Sequence, residues 1–370
     1  MEKVAHISTV HHPFDPRIYY KQCTTLKKNG FDVTLIITDH VDLKEKNEIN
    51  IIKIKKNKNK FLRMIKGTIN AYKEAKKLDA KVYHIHDPEL LLVAKLLKNK
   101  RNIVIYDVHE DYETSIQQKK YIPSILRNTV AKIFRLIEQN ISKDMEICIA
   151  EKYYREKFPN AFEILNYPLI NEKETTEQKE LRTFQQVNLL YTGNVTHDRG
   201  ALIHSKLPSL IEGLNVTFVG KCNLKLSEEI HQHKGNEIVG IGKYVDKKEI
   251  DQYYRQDEWL AGLALFPPTD HYMKKELTKF FEYMHQGLPI ICSNFPVWSE
   301  FIDKYKCGIA VDPYNEEEIK NAIIYLKNNP DKAREMGING IRAVRSALNW
   351  NEEGKKLVNH YKRIISELEQ

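Results

Sequence analysis

Residues 277–293 read LTKFFEYMHQGLPIICS and combine a helix with a buried strand in one short stretch. The first part repeats apolar residues at helical spacing, and Gly287 stands where such a helix ends. The following run, LPIICS, is continuously apolar and short enough to be a buried strand. Strands that are apolar on both faces are typical of parallel sheets covered by helices on each side. The stretch therefore predicts one helix-and-strand unit of an α/β fold.

The same alternation continues on both sides of this stretch through the second half of the chain. The predicted strands are VNLLYTG, NVTFVGK, NEIVGIG, LAGLALFP and GIAVD, which begin at residues 187, 215, 236, 260 and 308. The predicted helices cover residues 202–214, 224–232 and 297–304, and then 316 to the end with breaks near Pro330 and Trp350. Helices that alternate with strands predict a doubly wound parallel sheet.

The first half of the chain repeats this order, so we expect a second sheet of the same kind. Its predicted strands cover residues 4–10, 31–38, 81–86, 102–109 and 146–150, and its predicted helices cover residues 18–29, 71–78, 88–99 and 124–142. Residues 167–186 are polar and lack apolar periodicity, as a connection between domains does. We therefore predict two Rossmann-like domains, residues 1–166 and residues 167–349 with the linker at their start.

Composition and charge favour an ordinary globular protein of the cytoplasm. The 370 residues carry a formal net charge of +8, and the five cysteines are scattered without zinc-binding spacing. The start of the chain has no signal peptide pattern, and no apolar run reaches the length of a membrane span. Without a nucleic-acid-binding motif, we expect no nucleic acid partner. The basic and apolar stretch from Lys53 to Gly67 fits either a solvated loop before a helix or contact with an anionic membrane.

Polar residues follow three predicted strands of the first half, where ligands bind in open parallel sheets. These residues are His11, His12, Asp15 and Arg17, then His84, His86 and Asp87, then Asp107, His109, Glu110 and Asp111. Imidazole and carboxylate groups at these positions are compatible with a metal site. They are also compatible with a structural role, in which the histidines only form hydrogen bonds with backbone groups at the strand ends. Recognition of a sugar or a phosphate is the interpretation that we favour.

The second half offers an anion site of a different kind. Asn194 and then THDRG follow the strand VNLLYTG, so that Arg199 and Gly200 lie at the start of a helix. Unpaired N–H groups and the helix dipole favour phosphate at such a position. In the stretch at 277–293, Lys279 and Glu282 are three residues apart and share one helical face. A cation for phosphate and a carboxylate for ribose would suit a sugar nucleotide, although an exposed ion pair would show the same spacing.

Together these motifs resemble those of the family 4 retaining glycosyltransferases of the GT-B fold. The resemblance covers almost the entire chain. It is carried by HHPFDPRIYYKQCTTLKKNGFDVTLI, HIHDPELLLVAKLLK, VIYDVHEDY, YTGNVTHDRG and LTKFFEYMHQGLPIICSNFPVW. It implies two domains that face a central cleft, an acceptor-binding first domain and a second domain that binds the nucleotide sugar. It also implies that the last helix, at about residues 350–370, returns to the first domain.

The resemblance implies a role for each candidate residue. His109 would contact the donor sugar, Arg199 and Lys279 would neutralise the diphosphate, and Glu282 would accept the ribose hydroxyls. The further donor-binding positions are Gly193, Asn194, Gly220, Lys221, Gly242, Lys243, Tyr244 and Val245. The acceptor-side positions are His11, His12, Asp15, Arg17, His86 and Glu110. The family is metal-independent, and this sequence has no D-x-D triplet. We therefore expect no metal and no cofactor, with the nucleotide sugar as a substrate.

The sequence departs from the family pattern at three places. Many members have a glutamate eight positions before Glu282, where this chain has Lys274 with Glu276 nearby. Many have a glycine-rich turn after the first strand, where this chain has HHPFDPR, and an arginine where this chain has Asn194. The expected donor is a UDP-sugar, and the expected acceptor is a saccharide or a lipid-linked precursor of a surface polysaccharide. A UDP-sugar 2-epimerase of the same fold and a non-catalytic sugar-nucleotide-binding subunit are the alternatives.

Overall fold

The computed structural model of the chain describes residues 1–38, 49–55, 60–109, 111–118, 122–170, 187–256 and 258–370. It divides into two compact units, and the first is discontinuous in sequence. Unit 1 contains Met1–Leu169 and Trp350–Gln370, and unit 2 contains Ile170–Asn349. Among the described residues, none of the helices combines the length and the apolar character that crossing a membrane requires.

Unit 1 is built on a seven-stranded parallel sheet in the order β3-β2-β1-β4-β5-β6-β7. Its strands are β1 (Lys3–Ser8), β2 (Asp32–Thr38), β3 (Asn50–Ile54), β4 (Val82–Ile85), β5 (Ile103–Val108), β6 (Glu146–Ile149) and β7 (Phe162–Glu163). Its first helices are α1 (Thr24–Lys28), α2 (Lys60–Leu78), α3 (Leu91–Leu97), α4 (Tyr112–Gln118) and α5 (Ser124–Ser142), with a π-helical segment at Pro16–Cys23. The strand order reverses between β1 and β4, which is where ligands bind in such sheets.

Unit 2 repeats the arrangement with six parallel strands in the order β10-β9-β8-β11-β12-β13. Its strands are β8 (Val187–Thr192), β9 (Leu214–Cys222), β10 (Asn236–Ile241), β11 (Trp259–Ala264), β12 (Ile290–Ser293) and β13 (Gly308–Val311). Its helices are α6 (Ala201–Ser205), α7 (Leu224–His231), α8 (Lys247–Arg255), α9 (Asp270–Met273), α10 (Thr278–His285), α11 (Pro296–Tyr305), α12 (Glu316–Asn328) and α13 (Pro330–Ser346). The predicted fold of two doubly wound parallel-sheet domains is confirmed.

The last helix, α14 (Trp350–Glu369), belongs to unit 1. It buries Leu357, Val358 and Tyr361 in the same apolar cluster as residues of β2 and α1. Polar contacts fix its first turns, because Trp350 Nε1 donates to Thr25 Oγ1 (2.8 Å) and Glu353 accepts from the backbone N–H of Leu165 (2.8 Å). The C-terminal helix therefore packs against the sheet of unit 1.

Some local predictions were wrong. The helix predicted over residues 202–214 ends at Ser205, and a 3₁₀ turn at Leu207–Ser209 leads into β9. The first strand ends at Ser8 instead of Val10, and β3, β7, α4, α8 and α9 were not predicted. Residues 56–59 of the basic stretch from Lys53 to Gly67, and residues 171–186 of the linker, lie outside the described residues.

Candidate functional site

The strand ends of unit 2 pack against each other through glycines. Gly193, Gly220 and Gly240 follow or end neighbouring strands and have φ values of +94°, +155° and +105°. A Cβ atom on Gly220 would lie 1.9 Å from the carbonyl oxygen of Gly193, and one on Gly240 would lie 2.6 Å from the carbonyl oxygen of Gly220. No side chain fits at Gly220 or Gly240, and the positive φ of Gly193 disfavours one there, so backbone groups of adjacent strands approach each other directly beside β8.

A pocket of about 290 Å³ opens at the ends of β8 and β11, where the strand order of unit 2 reverses. It is lined by Thr192, Gly193, Arg199, Ile250, Phe266, His271, Tyr272, Lys275, Leu277, Thr278, Lys279 and Glu282. Arg199 is held from the side, because its Nε donates to Tyr272 Oη (3.1 Å), which in turn donates to Asp198 (3.2 Å). Four predicted donor-site residues, Gly193, Arg199, Lys279 and Glu282, therefore share this pocket.

Lys279 presents a buried cation to the pocket. Its side chain is only 7% exposed, and its Nζ atom has no hydrogen-bond partner among the described residues. The ammonium group lies 3.5 Å from the centroid of the Tyr191 ring and 5.0 Å from that of Phe266. Burial, and then the charge of Arg199, hold the pKa of Lys279 well below its usual value. A buried cation without a polar partner is suited to an anionic ligand, which would supply both charge and hydrogen-bond acceptors.

Glu282 lies one helical turn after Lys279 in α10 and is held by two side chains from α8. Tyr254 Oη donates to its Oε2 atom (2.7 Å), and Lys247 Nζ lies 3.2 Å from its Oε1 atom. Tyr254 Oη also lies 2.7 Å from Thr192 Oγ1 at the end of β8. The carboxylate is therefore oriented at the pocket wall, and it stays partly exposed for further donors.

The other predicted donor-site residues are not among those that line the pocket. Asn194 and Lys221 are exposed, and the backbone N–H of Val195 donates to the carbonyl of Lys221 (2.9 Å). Gly242, Lys243, Tyr244 and Val245 form the turn between β10 and α8, where Tyr244 is 74% exposed and Val245 is buried. Lys275 lines the pocket, whereas neither Lys274 nor Glu276 is among the lining residues.

A buried polar cluster lies in unit 1 under the π-helical segment and α14. It collects residues that alternate along β1, β4 and β5 and so point to one face of the sheet: His6, His84, His86, Asp107 and His109. Asp107 is the central group. Arg17 donates to both of its carboxylate oxygens (3.1 and 2.8 Å), and Gln22 donates to Oδ2 (2.7 Å).

Histidines extend this cluster from the interior to the edge of the sheet. His6 Nδ1 lies 2.9 Å from His86 Nε2, and His86 Nδ1 lies 2.9 Å from His109 Nε2. His109 Nε2 also lies 2.9 Å from Asp107 Oδ2 and is the partly exposed end of the chain of rings. Burial lowers the pKa of both His6 and His86 well below the usual value, so they are neutral. Burial works to raise the pKa of Asp107, but Arg17, His109 and His86 outweigh it and keep this pKa well below the usual range.

Asp87 organises the loop that carries the other predicted acceptor-side residues. Its Oδ2 atom accepts from Ser8 Oγ (3.0 Å) and from the backbone N–H of Thr9 (2.6 Å), and its Oδ1 atom lies 3.4 Å from His11. His11 also lies 3.3 Å from Asp15, which caps the π-helical segment by accepting from the N–H groups of residues 17 and 18. His12 is exposed, and Glu110 lies outside the described residues.

Two triplets of this cluster have donor atoms close enough for a metal ion, namely His6, His84 and His86, and His86, Asp107 and His109. The second triplet has little capacity left, because Asp107 Oδ2 already accepts from Arg17 and Gln22. In the first triplet, Nδ1 of His84 is held by Tyr361 Oη at 2.6 Å, and all three rings are buried. The contacts with Arg17, Gln22 and Tyr361 hold Asp107 and His84 in a hydrogen-bonded network, whereas Nε2 of His6 and Nε2 of His84 have no hydrogen-bond partner among the described residues.

Sequence reasoning missed several side chains that hold these groups in place. Asp107 is not among the predicted site residues, although it contacts both Arg17 and His109. Tyr254 and Tyr272 orient Glu282 and Arg199 and were not considered. The alternation of His84, His86, Asp107 and His109 along two adjacent strands was the signal that could have revealed the cluster in unit 1.

Solved structures share this fold over nearly the whole chain. Sucrose-phosphate synthase from Thermosynechococcus elongatus aligns over 99% of this chain and 100% of its own, with TM-score 0.76 and 16% identity. HepE from Anabaena in complex with UDP aligns over 98% of this chain and 100% of its own, with TM-score 0.72 and 11% identity. WaaG, a glycosyltransferase involved in lipopolysaccharide biosynthesis, aligns over 96% of this chain and 98% of its own, with TM-score 0.67 and 13% identity. The likeness shows that the fold is GT-B.

Residues 173–343 match the family model of glycosyl transferases group 1. The matched segment contains the pocket of unit 2 with Arg199, Lys279 and Glu282. No curated protein sequence matches the chain. The fold and this partial family match support a glycosyltransferase, and the similarity to glycosyl transferases group 1 lies in the second unit.

Proposed function

We propose that the protein transfers a hexosyl or N-acetylhexosaminyl group from a UDP-sugar to a saccharide or a lipid-linked acceptor in the synthesis of a cell-surface polysaccharide. The transfer proceeds with retention of configuration and without a metal ion. The observation that carries the proposal is the buried ammonium group of Lys279, which faces the pocket without a hydrogen-bond partner among the described residues. A diphosphate supplies the charge and the acceptors that this group lacks.

The pocket can stabilise the charge that develops when the diphosphate leaves. Lys279 and Arg199 provide two positive charges in a partly buried site, where electrostatic interactions are stronger than in water. Arg199 is already fixed by Tyr272, so little reorganisation is needed at the moment of reaction. In this proposal the two side chains perform the role that a divalent cation has in metal-dependent transferases.

Glu282 is proposed to accept the ribose hydroxyls, which would place the nucleoside on the side of α8. The hydrogen bond from Tyr254 and the ion pair with Lys247 fix the orientation of the carboxylate. HepE, which has the same fold, is known in complexes with UDP, with UDP and glucose, and with UDP-glucose. These complexes support a uridine nucleotide as the first donor to test.

Unit 1 is proposed to bind the acceptor and to supply His109. The partly exposed ring of His109 is held by Asp107 and by the ring of His86, so its orientation is set from the interior of the sheet. His11, Asp15 and Arg17 are tied to the same strand ends through Asp87 and Asp107. We also place the protein in the cytoplasm, in keeping with five buried cysteines that form no disulfide.

Calorimetric titration with UDP, GDP and ADP, each with and without EDTA, tests the donor class. The proposal expects one nucleotide, UDP, to bind with an affinity that EDTA does not change. Failure of all three nucleotides to bind, or a loss of UDP binding with EDTA, would contradict it. Product formed from UDP-N-acetylglucosamine alone would identify an epimerase. Donor binding without turnover across a panel of acceptors would favour a non-catalytic subunit.

A further inference from the structure

Helix α5 exposes most of its aliphatic side chains on the outside of unit 1. On the inner side it buries Ala131, Glu138 and Ser142. Glu138 is satisfied there by Tyr106 Oη (2.7 Å) and by an ion pair with Lys157. The exposed large apolar residues of α5 are Ile125, Leu126, Val130, Ile133, Leu136 and Ile137. A surface helix normally places its aliphatic side chains toward the core, so α5 has the opposite arrangement.

The exposed apolar residues of α5 form a continuous row. Leu126, Val130, Ile133 and Ile137 follow one another at intervals of four, three and four residues, which places them on one helical face. The nineteen residues of the helix span about 28 Å at 1.5 Å per residue. Ile125 is 85% exposed and Leu136 is 67% exposed, so neither side chain is covered by the rest of the chain.

The two helices next in the same layer extend the surface. α3 packs against both α5 and α2, and all three cover the same face of the sheet. α3 exposes Leu92 and Leu96, which are one helical turn apart, and α2 exposes Ile65 and Ile69 at the same interval. We call these exposed apolar residues of α2, α3 and α5 the outer apolar surface. Contiguous apolar patches of this kind mark interaction sites.

The charges beside the outer apolar surface have one sign on α3 and α5. α5 carries Arg127, Lys132 and Arg135, and its only acid is the buried Glu138. α3 carries Lys95 and no acid. Arg135 has an ion pair with Glu113 at 3.6 Å, whereas Lys132 is exposed at the middle of α5. An apolar row bordered by lysine and arginine is the pattern of helices that lie in the interface of an anionic bilayer.

We propose that the outer apolar surface seats unit 1 on an anionic lipid bilayer, with α5 lying along the membrane interface. The aliphatic side chains would enter the boundary between headgroups and acyl chains, and the basic side chains would pair with lipid phosphates. A second copy of the chain fits this surface poorly, because a symmetric contact would bring the positive charges of Arg127, Lys132 and Arg135 from both copies into one interface. Of the basic stretch at residues 53–67 that the sequence suggested, the surface includes Ile65, and its other residues lie on α3, α5 and later in α2.

This docking rests on the surface of unit 1 and not on the donor pocket, so it can be tested without nucleotide. If the proposed function is correct, binding of unit 1 to a bilayer favours a lipid-linked acceptor over a soluble one. Failure of nucleotide binding would leave vesicle binding unaffected. Failure of vesicle binding would leave the donor reaction unaffected.

The test is co-sedimentation of the full chain with vesicles of phosphatidylcholine alone and of equal parts phosphatidylcholine and phosphatidylglycerol. We expect binding to the anionic vesicles that weakens at high salt, because salt screens the contribution of the basic residues. Leu136→Gln is expected to lower the vesicle partition coefficient about tenfold, because a leucine side chain no longer leaves water. Lys132→Glu is expected to lower it by about the same factor.

Two control variants match these substitutions in unit 2. Leu224 is 67% exposed, as Leu136 is, and Lys225 beside it is exposed like Lys132. Leu224→Gln and Lys225→Glu are expected to leave vesicle binding unchanged, and thermal melting of all four variants checks that they fold. Equal vesicle binding by Leu136→Gln and Leu224→Gln would overturn the proposal, as would no preference for anionic vesicles. A lipid-free dimer that Leu136→Gln dissociates would assign the surface to a second copy and would also overturn it.

Discussion

The ammonium nitrogen of Lys279 lies 3.5 Å from the centroid of the Tyr191 ring, in a pocket where the described residues offer it no hydrogen-bond acceptor. The face of an aromatic ring attracts a cation, but it replaces only part of the hydration that burial removes. Burial and the nearby Arg199 lower the pKa of this lysine as a result. The arrangement is unfavourable in the empty protein and becomes favourable when an anion enters the pocket.

Lys279→Met should therefore separate stability from binding. Methionine keeps an unbranched side chain beside Tyr191 and removes the buried charge. We expect the affinity for UDP to fall about 10-fold to 100-fold, which corresponds to one charge-assisted hydrogen bond. We expect the thermal midpoint of the unliganded protein to stay constant or to rise, because an unpaired buried charge is lost.

Calorimetric titration and thermal melting measure the two effects. Lys234→Met, at an exposed position of unit 2, serves as the control and should change neither quantity. A lower thermal midpoint together with unchanged UDP affinity would show that Lys279 has a structural role and not a binding one.

UDP binding should be coupled to proton uptake. In the empty pocket the pKa of Lys279 is lowered, first by burial and then by Arg199, so part of the population is neutral at a pH above that pKa. A bound diphosphate favours the charged form and raises the pKa again. Binding then takes up a proton in the interval between the two pKa values, and affinity falls as pH rises through that interval. Titrations in buffers of different ionisation enthalpy measure the uptake, and Lys279→Met should abolish it. Buffer-independent binding enthalpies for the unmodified protein would contradict this coupling.

Glu282 and Lys279 should discriminate between parts of the nucleotide. If Glu282 contacts the ribose, Glu282→Ala weakens UDP binding about tenfold but leaves the binding of inorganic pyrophosphate unchanged. Lys279→Met is expected to weaken the binding of both ligands. Tyr254→Phe removes the hydrogen bond that orients Glu282, together with the contact to Thr192, but keeps the carboxylate and should have a smaller effect than Glu282→Ala. Competition titrations with UDP and pyrophosphate provide the comparison, and an equal loss for both ligands in Glu282→Ala would refute the ribose contact.

The sequence predicted the groups of the donor pocket better than the side chains that hold them. Arg199 follows a predicted strand, and Lys279 and Glu282 share a helical face, so simple rules of strand ends and helical spacing select them. Tyr254 and Tyr272 come from helices that were not predicted, and they act on residues 28 and 73 positions away in the chain. Local sequence carries no information on such partners, because only the packing of the sheet brings them together.

The errors in the fold have equally local causes. The run from Leu202 to Leu214 has apolar residues at helical spacing, but Pro208 and Gly213 interrupt it, and Gly213 has a φ of +75°. The strand β3 has a lysine within five residues, and β7 has only two residues, so neither shows a clear apolar pattern. The alternation of long buried strands with helices was sufficient for the fold class, because it depends on many segments at once.

His109 is expected to act on turnover more than on donor affinity. Its ring is fixed by Asp107 and His86 in unit 1, whereas the proposed diphosphate contacts come from unit 2. His109→Ala should lower kcat by about 100-fold or more, in the range of a positioned catalytic group, and change the Kd for UDP by less than about threefold. Steady-state kinetics with an identified acceptor and titration with UDP measure both values. His12→Ala, in the segment that follows β1 of the same unit, allows the comparison with an exposed histidine. Unchanged kcat in His109→Ala would remove His109 from the reaction.

Asp107 is expected to stabilise unit 1 through its charge. Asp107→Asn leaves the guanidinium of Arg17 buried without its counter-charge, which costs about 3–5 kcal/mol in proteins. Glu113→Gln breaks the more exposed ion pair with Arg135 and should cost less than about 1 kcal/mol.

Burial alone would raise the pKa of Asp107, but Arg17 and the histidines hold it below the unfolded value. Its stabilising effect is therefore present above the unfolded pKa of about 3.9 and is lost as pH falls through the folded pKa. Thermal midpoints measured from neutral to acid pH should fall less steeply in Asp107→Asn than in the unmodified protein, and parallel curves would show that the charge of Asp107 contributes nothing to acid sensitivity.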